Sequence, residues 1–369
     1  MRIGVLTSSR ADYGIYQPLL QKLSSDSRFH LEIIAFGMHL QENQGNTIDN
    51  IRKDGYSKIH TLGIMPEKDG IFDISLGYGQ LVSDFARFWR EHTFDLIFAL
   101  GDRWEMSSAV QASIPFELKI AHIHGGETTL GATDNIYRHQ ISLASIYHFT
   151  AAEPFSERLR ALTGTNDGIH TVGAISLEEI DSIQLPEWSE IKSQFKISFD
   201  EFILVTFHPE SVGASRNIDY AQIAFTVLEK LSREYNILIT GTNSDVMGSV
   251  FNQQFERLQE LNPTKVKLVY TLGRLNYFKA IEQSSFMLGN TSSGIVEAAS
   301  FKKWVVNVGD RQKGRLRNEN VIDVAFETEK ILEALVQVSQ QDPYLGDNKY
   351  VKSGTTNMII EIISNDKEL

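Results

Sequence analysis

Leu96-Ile97-Phe98-Ala99-Leu100 is an unbroken apolar run that stops at Gly101-Asp102-Arg103, and Lys119-Ile120-Ala121-His122-Ile123 stops in the same way at His124-Gly125-Gly126-Glu127. Neither run alternates polar with apolar residues, so both suit strands covered on two faces of a parallel sheet, joined here by a helix. Ligands of such sheets bind beyond the carboxyl ends of the strands, which places Asp102, Arg103, His124 and Glu127 on one rim. The glycines let the backbone turn sharply there. Asp134-Asn135 then opens another helix, which carries Arg138 and His139.

The same rhythm extends in both directions. Arg2 to Thr7 is a strand, followed by the loop Ser8-Ser9-Arg10-Ala11-Asp12-Tyr13-Gly14 and a helix. A phosphate fits on the loop amides with Arg10 as counter-ion, and an exposed surface arginine fits equally well. Leu31 to Phe36 and Ile59 to Leu62 are further strands, and Asp73 to His92 is an amphipathic helix. Tyr147 to Thr150 and His170 to Val172 complete a first sheet. The segment from Ile183 to Phe199, with Pro186 and mixed charge, breaks the pattern and marks a domain boundary.

A second array starts with the strand Phe202 to Phe207, ended by His208-Pro209-Glu210 because proline stops the ladder. Ile237 to Thr240, Val266 to Tyr270, Phe286 to Leu288 and, as the last strand, Trp304 to Val308 alternate with helices. Gly289-Asn290-Thr291-Ser292-Ser293-Gly294 has the small-residue and hydroxyl character of a phosphate cradle, without the Gly-Lys-Ser/Thr ending of a P-loop. Between Gly309 and Arg317 the chain concentrates four positive charges. The fold class is therefore α/β, with two doubly wound Rossmann-like domains facing across a cleft. Residues 1–182 are expected to form the first domain, with the carboxylates of the first rim, and 183–350 the second, with the phosphate cradle.

Composition narrows the function. The net charge of −12 argues against general nucleic-acid binding, so an anionic ligand must meet a local cluster of arginines. The absence of cysteine excludes disulfides and thiolate metal sites and fits a cytoplasmic setting. No apolar stretch approaches the roughly 20 residues of a membrane span. Neither first turn carries G-x-G-x-x-G, so no nicotinamide or flavin cofactor is expected, and no metal.

The second half offers hydroxyls and amides around Thr291 to Gly294, the Arg311 cation, and Glu297 to accept from ribose hydroxyls. That set describes a nucleoside diphosphate. The first half offers Asp102, Glu127 and Asp134 for moving protons, with Arg103 to hold them ionised or to bind phosphate. Together they describe a nucleotide sugar altered at the sugar ring. Plainer readings stand beside these. Asp102 and Arg103 fit a structural ion pair, His122 fits sheet packing, and Glu127 fits a loop cap. Arg138 and His139 fit supports for Asp134, and Arg315 and Arg317 fit solvated charges.

Arg10-Ala11-Asp12-Tyr13, Leu100-Gly101-Asp102-Arg103, His122 to Glu127, Arg138-His139, His208-Pro209, Gly289-Asn290 with Ser292-Ser293-Gly294, and Gly309 with Arg311 to Arg315 resemble, as a set, the hydrolysing UDP-N-acetylglucosamine 2-epimerases. The resemblance runs in order from Arg10 to about Asn320. It implies the two-domain architecture of the B-type glycosyltransferases, with a C-terminal helix, residues 351–369, packing back on the first domain. It also implies release of UDP and N-acetylmannosamine towards sialic acids, and a homo-oligomer, dimeric or tetrameric. By position, Asp102 and Asp134 are similar to the acid/base carboxylates, and His208 and Arg311 to pyrophosphate contacts. Arg10, Arg103, Ser292, Ser293 and Glu297 are similar to the other nucleotide contacts. The wider set of candidates adds Glu127 and His208 to the catalytic groups, and His124, Arg138, Asn243, Thr291 and Gly294 to the substrate contacts. Relatives often carry glutamate where this chain has His124, and a proline-asparagine form where it has Gly241 to Asp245.

The stereochemistry defines what such a site must do. In an α-linked N-acetylglucosamine the C1 leaving group and the C2 hydrogen are trans-diaxial, so one base drives anti elimination to a glycal. Inversion then requires a proton on the other face at C2 while water adds at C1. A glycosyltransferase of the same architecture would usually need only one base. The Gly125-Gly126-Glu127 form and the Arg-Ala-Asp-Tyr start favour the hydrolysing branch over the branch that keeps UDP attached. The substituents at sugar C4 and C6 are left to the loops Gly37 to Asn46 and Leu62 to Ser75, where Ile64, Met65, Ile71 and Phe72 would suit a less polar sugar.

Overall fold

The computed structural model describes the chain except for residues 42–46, 65, 67, 69, 179, 243–246 and 368, and except for the side chain of residue 64. The apolar runs are strands, and their lack of alternation has a direct cause. In β1 (Arg2–Thr7), α1 (Arg10–Ser25), β2 (His30–Gly37), α2 (Ile48–Lys53), β3 (Ile59–Ile64), α3 (Ile71–Glu91), β4 (Leu96–Leu100), α4 (Trp104–Ser113), β5 (Ile120–Ile123), α5 (Asp134–Leu143), β6 (Tyr147–Thr150), α6 (Glu153–Thr163) and β7 (Ile169–Thr171), helices cover both faces of one sheet. Leu96, Phe98 and Leu100 of β4 face a cluster with Tyr16 and Leu20 of α1, while Ile97 and Ala99 face Phe85 and Trp89 of α3. Successive side chains thus enter two different cores, so every position in the strand must be apolar.

The strand order is β3-β2-β1-β4-β5-β6-β7, all parallel. The order reverses between β1 and β4, and the crevice for a ligand opens at the carboxyl ends on either side of such a reversal. Thr7-Ser8-Ser9 and Gly101-Asp102-Arg103 are those ends.

The second unit repeats the plan. It contains α7 (Trp188–Phe195), β8 (Ile203–Thr206), α8 (Asn217–Leu231), β9 (Ile237–Thr240), α9 (Gly248–Leu261), β10 (Val266–Val269), α10 (Arg274–Gln283), β11 (Met287–Gly289), α11 (Ser292–Val296), β12 (Val305–Val308), β13 (Val321–Val324) and α12 (Thr328–Ser339). Its parallel order is β10-β9-β8-β11-β12-β13, with the reversal between β8 and β11. Two features depart from the sequence reading. β12 is not the last strand: Val321–Val324 pairs with it along four residues. The stretch from Ile183 to Phe199, in which the sequence reading saw no element, contains α7, which buries Trp188 and Ile191 against Phe202 and Leu204.

The chain divides into two units, Met1–Glu127 with Asp134–Glu179 and Tyr350–Leu369, and Thr128–Thr133 with Ile180–Lys349. The last helix, α13 (Thr355–Asn365), belongs to the first unit and places Ile359, Ile360 and Ile363 in its core. Thr128–Thr133 belongs to the second unit, where the Leu130 N–H donates to the Lys313 carbonyl (2.9 Å) and the Thr133 N–H to Ser211 Oγ (2.9 Å). Among the described residues no helix is long and apolar enough to cross a membrane.

Candidate active site

The first rim is built on the β1 and β4 ends. Asp12, buried in the first turn of α1, accepts from the Ser8 N–H (2.8 Å), the Ser9 N–H (2.9 Å) and the Ser8 hydroxyl (2.9 Å). Those two amides are committed to Asp12, which leaves the amides of the following helix turn as the donors for the phosphate reading of this loop. The fully buried His39 bridges Thr7 Oγ1 (2.9 Å) and Thr47 Oγ1 (2.8 Å) and fixes the loop from beneath. Arg10 is half-buried beside it, and burial lowers its pKa from the ordinary value.

Asp102 and Arg103 do not pair with each other. Arg103 donates to Glu105 Oε1 (2.8 Å), whose side chain is fully buried, and Asp102 forms an ion pair with Arg138. Arg138 is 1% exposed and lies one helical turn after Asp134 on α5. It also donates to the His124 carbonyl (2.7 Å) and lies 3.8 Å from Glu127 Oε2. Arg138 is therefore a buried brace behind the carboxylates and not the substrate contact named from the sequence. Positions i and i+4 share a helix face, so Asp134 projects from the side of α5 that reaches Asp102.

His124 stands at the β5 end with φ 63°, a left-handed conformation that costs a non-glycine residue roughly 1–3 kcal/mol unless its surroundings hold it. Its Nδ1 lies 2.7 Å from Glu127 Oε1, and Glu127 is 1% exposed against 12% for His124. His122 takes the packing role open to it: Nε2 meets the Gly101 carbonyl (2.7 Å), Nδ1 meets Ser142 Oγ (3.0 Å), and burial pushes its pKa down to about 3.

The second rim is built on the ends of β8, β11 and β12. Gly289 has φ 143°, and a Cβ there would lie 1.8 Å from the Thr206 carbonyl oxygen, so only glycine lets β11 lie against β8 at this point. Asn290 follows, fully buried, and joins the main chain of the buried His208 to its own side chain at 2.7 and 2.8 Å. Its carbonyl accepts from Gln312 Nε2 (2.9 Å) and Arg311 Nη1 (3.4 Å). Buried Glu210 holds the Asp310 N–H (2.6 Å) and Arg311 N–H (3.2 Å), and burial raises its pKa. The Thr291 side chain caps α11 by accepting from the Ser293 N–H (3.4 Å). α11 is only five residues long, so hydroxyls and amides of Thr291 to Gly294 make the cradle and the helix dipole adds little. The Tyr277 hydroxyl lies under it, within electrostatic reach of Glu297, which also interacts with Arg274.

His208, Thr291, Ser292, Ser293, Gly294 and Arg311 thus share the second rim, with Glu297 closing α11. Asp102, Arg103, His124 and Glu127 share the first with Arg138, Asp134 and Arg10. Asn243 lies outside the described residues. Sequence reasoning missed Glu105, Tyr277, the bracing parts of Asn290 and Glu210, and Asn217, whose side-chain amide holds the Glu210 main chain at 2.9 and 2.8 Å, since a buried polar residue gives no periodic signal. Among the described residues no three His, Cys, Asp or Glu side chains gather as a metal-ligand set.

Comparison with known proteins is consistent with this arrangement. The sequence profile of the UDP-N-acetylglucosamine 2-epimerase family matches residues 21–364. The polysialic acid biosynthesis protein P7 of Escherichia coli is 28% identical over 98% of this chain and 93% of its own length. The hydrolysing UDP-N,N'-diacetylbacillosamine 2-epimerase of Legionella pneumophila is 30% identical over 98% of this chain and 95% of its own. The crystal structure of UDP-GlcNAc 2-epimerase from Neisseria meningitidis bound to UDP-GlcNAc superimposes with a TM-score of 0.80 at 15% identity, covering 99% of this chain and 100% of the other, which establishes the shared two-sheet Rossmann-like fold. A profile match from residue 21 to residue 364 spans most of the chain, and the chain belongs to the UDP-N-acetylglucosamine 2-epimerase family.

Proposed function

We propose that the chain is a hydrolysing UDP-N-acetylglucosamine 2-epimerase, converting its substrate to UDP and N-acetylmannosamine for sialic acid biosynthesis. The observation that carries this reading is the pairing of Asp102 with the buried Arg138, which shares a helix face with Asp134. Two carboxylates on one rim are what an elimination and a hydration at C2 require, one to take a proton and one to manage its return or that of water. A positioned acid or base contributes roughly 10² to 10⁴ in rate. The second rim binds the diphosphate: Arg311, His208 and the Thr291 to Gly294 hydroxyls and amides face the charge that grows on UDP as the C1–O bond breaks.

Product analysis in deuterated water tests the reading. Purified protein with UDP-N-acetylglucosamine should release UDP and N-acetylmannosamine carrying about one deuterium at C2. An equilibrium of two intact UDP-sugars, or retention of the original C2 hydrogen, rejects it.

A second substrate has a specific observation in its favour. Ile71 and Phe72, in the first turn of α3, are 75% and 72% exposed and so are not core residues. They suit a sugar with an acetamido group at C4 and a methyl at C6, the kind of substrate named for the Legionella relative. Met65 of the same loop lies outside the described residues. Comparison of kcat/KM for the two UDP-sugars decides, and a preference above tenfold for the deoxy sugar selects it.

A further inference from the structure

Glu127 is one of the three carboxylates that the sequence offers for proton transfer, yet its carboxylate is 1% exposed and turned to protein partners, Oε1 to His124 Nδ1 at 2.7 Å and Oε2 towards Arg138 at 3.8 Å. A group so enclosed cannot reach a sugar carbon. His124 is the more exposed of the two, and it is held in a left-handed conformation at the strand end, where backbone strain is most often retained for function. A carboxylate on Nδ1 fixes the ring in one orientation and one tautomer, with Nε2 as the nitrogen that exchanges a proton. The surroundings are built to keep that geometry. Arg138 of α5 donates to the His124 carbonyl at 2.7 Å, Arg158 of α6 donates to the Gly126 carbonyl at 2.5 Å, and His122 of β5 stays neutral beneath.

We propose that His124 is a catalytic acid/base of this site and that Glu127 is its positioning residue. The inference rests on the hydrolysing reading above and deepens it. In the elimination Asp102, as the carboxylate paired with Arg138, takes the C2 proton. The electrons of that bond form the C1=C2 double bond, and the C1–O bond breaks to release UDP. In the hydration the double bond takes a proton at C2 from His124 Nε2–H, water oxygen adds at C1, and the proton lost by that water passes to a carboxylate. Asp102 and His124 each regain their starting protonation through solvent. An imidazole suits the second step because one ring nitrogen can deliver a proton while the other stays on its carboxylate.

The test compares wild type, His124→Gly, Glu127→Gln and the double variant, by kcat and KM across pH 5 to 9 and by calorimetric UDP affinity. Glycine is chosen because φ 63° suits it, so the backbone keeps its course. Glu127 sits on the ring at Nδ1, Arg138 donates to the carbonyl of the same residue, and burial holds the pKa of the neighbouring His122 low. We expect His124→Gly to lower kcat by about 10² to 10⁴, with one limb of the kcat profile lost and UDP affinity within twofold. Glu127→Gln should lower kcat less and leave KM nearly unchanged, and the double variant should be no slower than His124→Gly, as for residues acting as one unit. A kcat change under tenfold, a limb that persists, or a double variant showing the product of the single effects overturns the dyad. Wild-type protein that hydrolyses no UDP-sugar overturns the underlying function instead, and the two failures are read from different samples.

Discussion

The side-chain amide of Asn290 holds the main chain of His208 from both sides, accepting from its N–H at 2.7 Å and donating to its carbonyl at 2.8 Å. Because β8 and β11 flank the reversal of the second sheet, this one residue sets the distance between the two loops that end there. Its own carbonyl then takes Gln312 and Arg311, indexing the third loop to the same point. Asn290→Ala leaves two buried main-chain groups unpaired, a loss of roughly 2–5 kcal/mol. Urea unfolding should show that loss, and calorimetry should show UDP affinity down at least tenfold. Unchanged affinity would mean that Asn290 does not index the nucleotide loops.

Proton transfer and anion holding are expected to separate by residue. Asp102→Asn and Asp134→Asn should each abolish measurable turnover with UDP affinity kept, whereas Arg311→Ala should weaken UDP binding by tenfold or more. Equal loss of UDP affinity in all three variants contradicts that division.

Arg138 is the brace common to Asp102, the His124 carbonyl and Glu127. Arg138→Met keeps the length of the side chain and removes the charge, leaving the buried Glu127 and the partly exposed Asp102 uncompensated at a cost of about 3–5 kcal/mol. Arg138→Lys keeps the charge but loses the forked geometry and should fall between the two. Equal melting temperatures for Arg138→Met and wild type would show that the ion pairs contribute nothing net.

Gly131 lies against the main chain of the Arg311 loop, where an added Cβ would come within 2.2 Å of the Asp310 carbonyl oxygen and 2.8 Å of the Arg311 nitrogen. Neither atom can swing aside as a side chain does, so the loop must shift. Gly131→Ala should weaken UDP binding several-fold while leaving overall stability within about 1–3 kcal/mol of wild type, the range for overpacking. Wild-type affinity in this variant would show that the loop tolerates displacement.

Stability should decline in mild acid. Burial pushes His122 down to about 3 and His148 to about 4, from 6.5 in the unfolded chain. A folded-state pKa below the unfolded value means that the unfolded chain binds the proton first. The stabilisation is therefore complete above about pH 6.5 and is lost as pH falls from there towards 4. Each histidine accounts for roughly 2 kcal/mol of loss at pH 5. Urea midpoints at pH 7 and pH 5 should differ accordingly, and His148→Gln should remove about half of the difference. A pH-independent midpoint would reject the account.

Several things were fixed by sequence alone. The uninterrupted apolarity of Leu96 to Leu100 and Phe202 to Phe207 required strands wetted on neither face, and with intervening helices that required parallel, doubly wound sheets. Residues at the strand ends, Asp102, His124, His208 and Thr291, followed from the same rule, because charge and hydroxyl can begin only where the sheet stops. The edge strand Val321–Val324 was not legible: it is half-exposed, short and interrupted by Asp323, so its pairing with β12 depends on the neighbour and not on its own pattern. α7 hid behind Pro186, since only two of its side chains, Trp188 and Ile191, are buried and their partners lie elsewhere in the chain. Partnership was likewise a matter of tertiary structure. Adjacent charges such as Asp102 and Arg103 point apart at a strand end, and each was paired by distance in space, Asp102 with Arg138 and Arg103 with Glu105. Sequence supplied the ionisable groups at the rim, and only the folded backbone decided which of them are fully enclosed, like Glu127, and which keep some exposure, like His124.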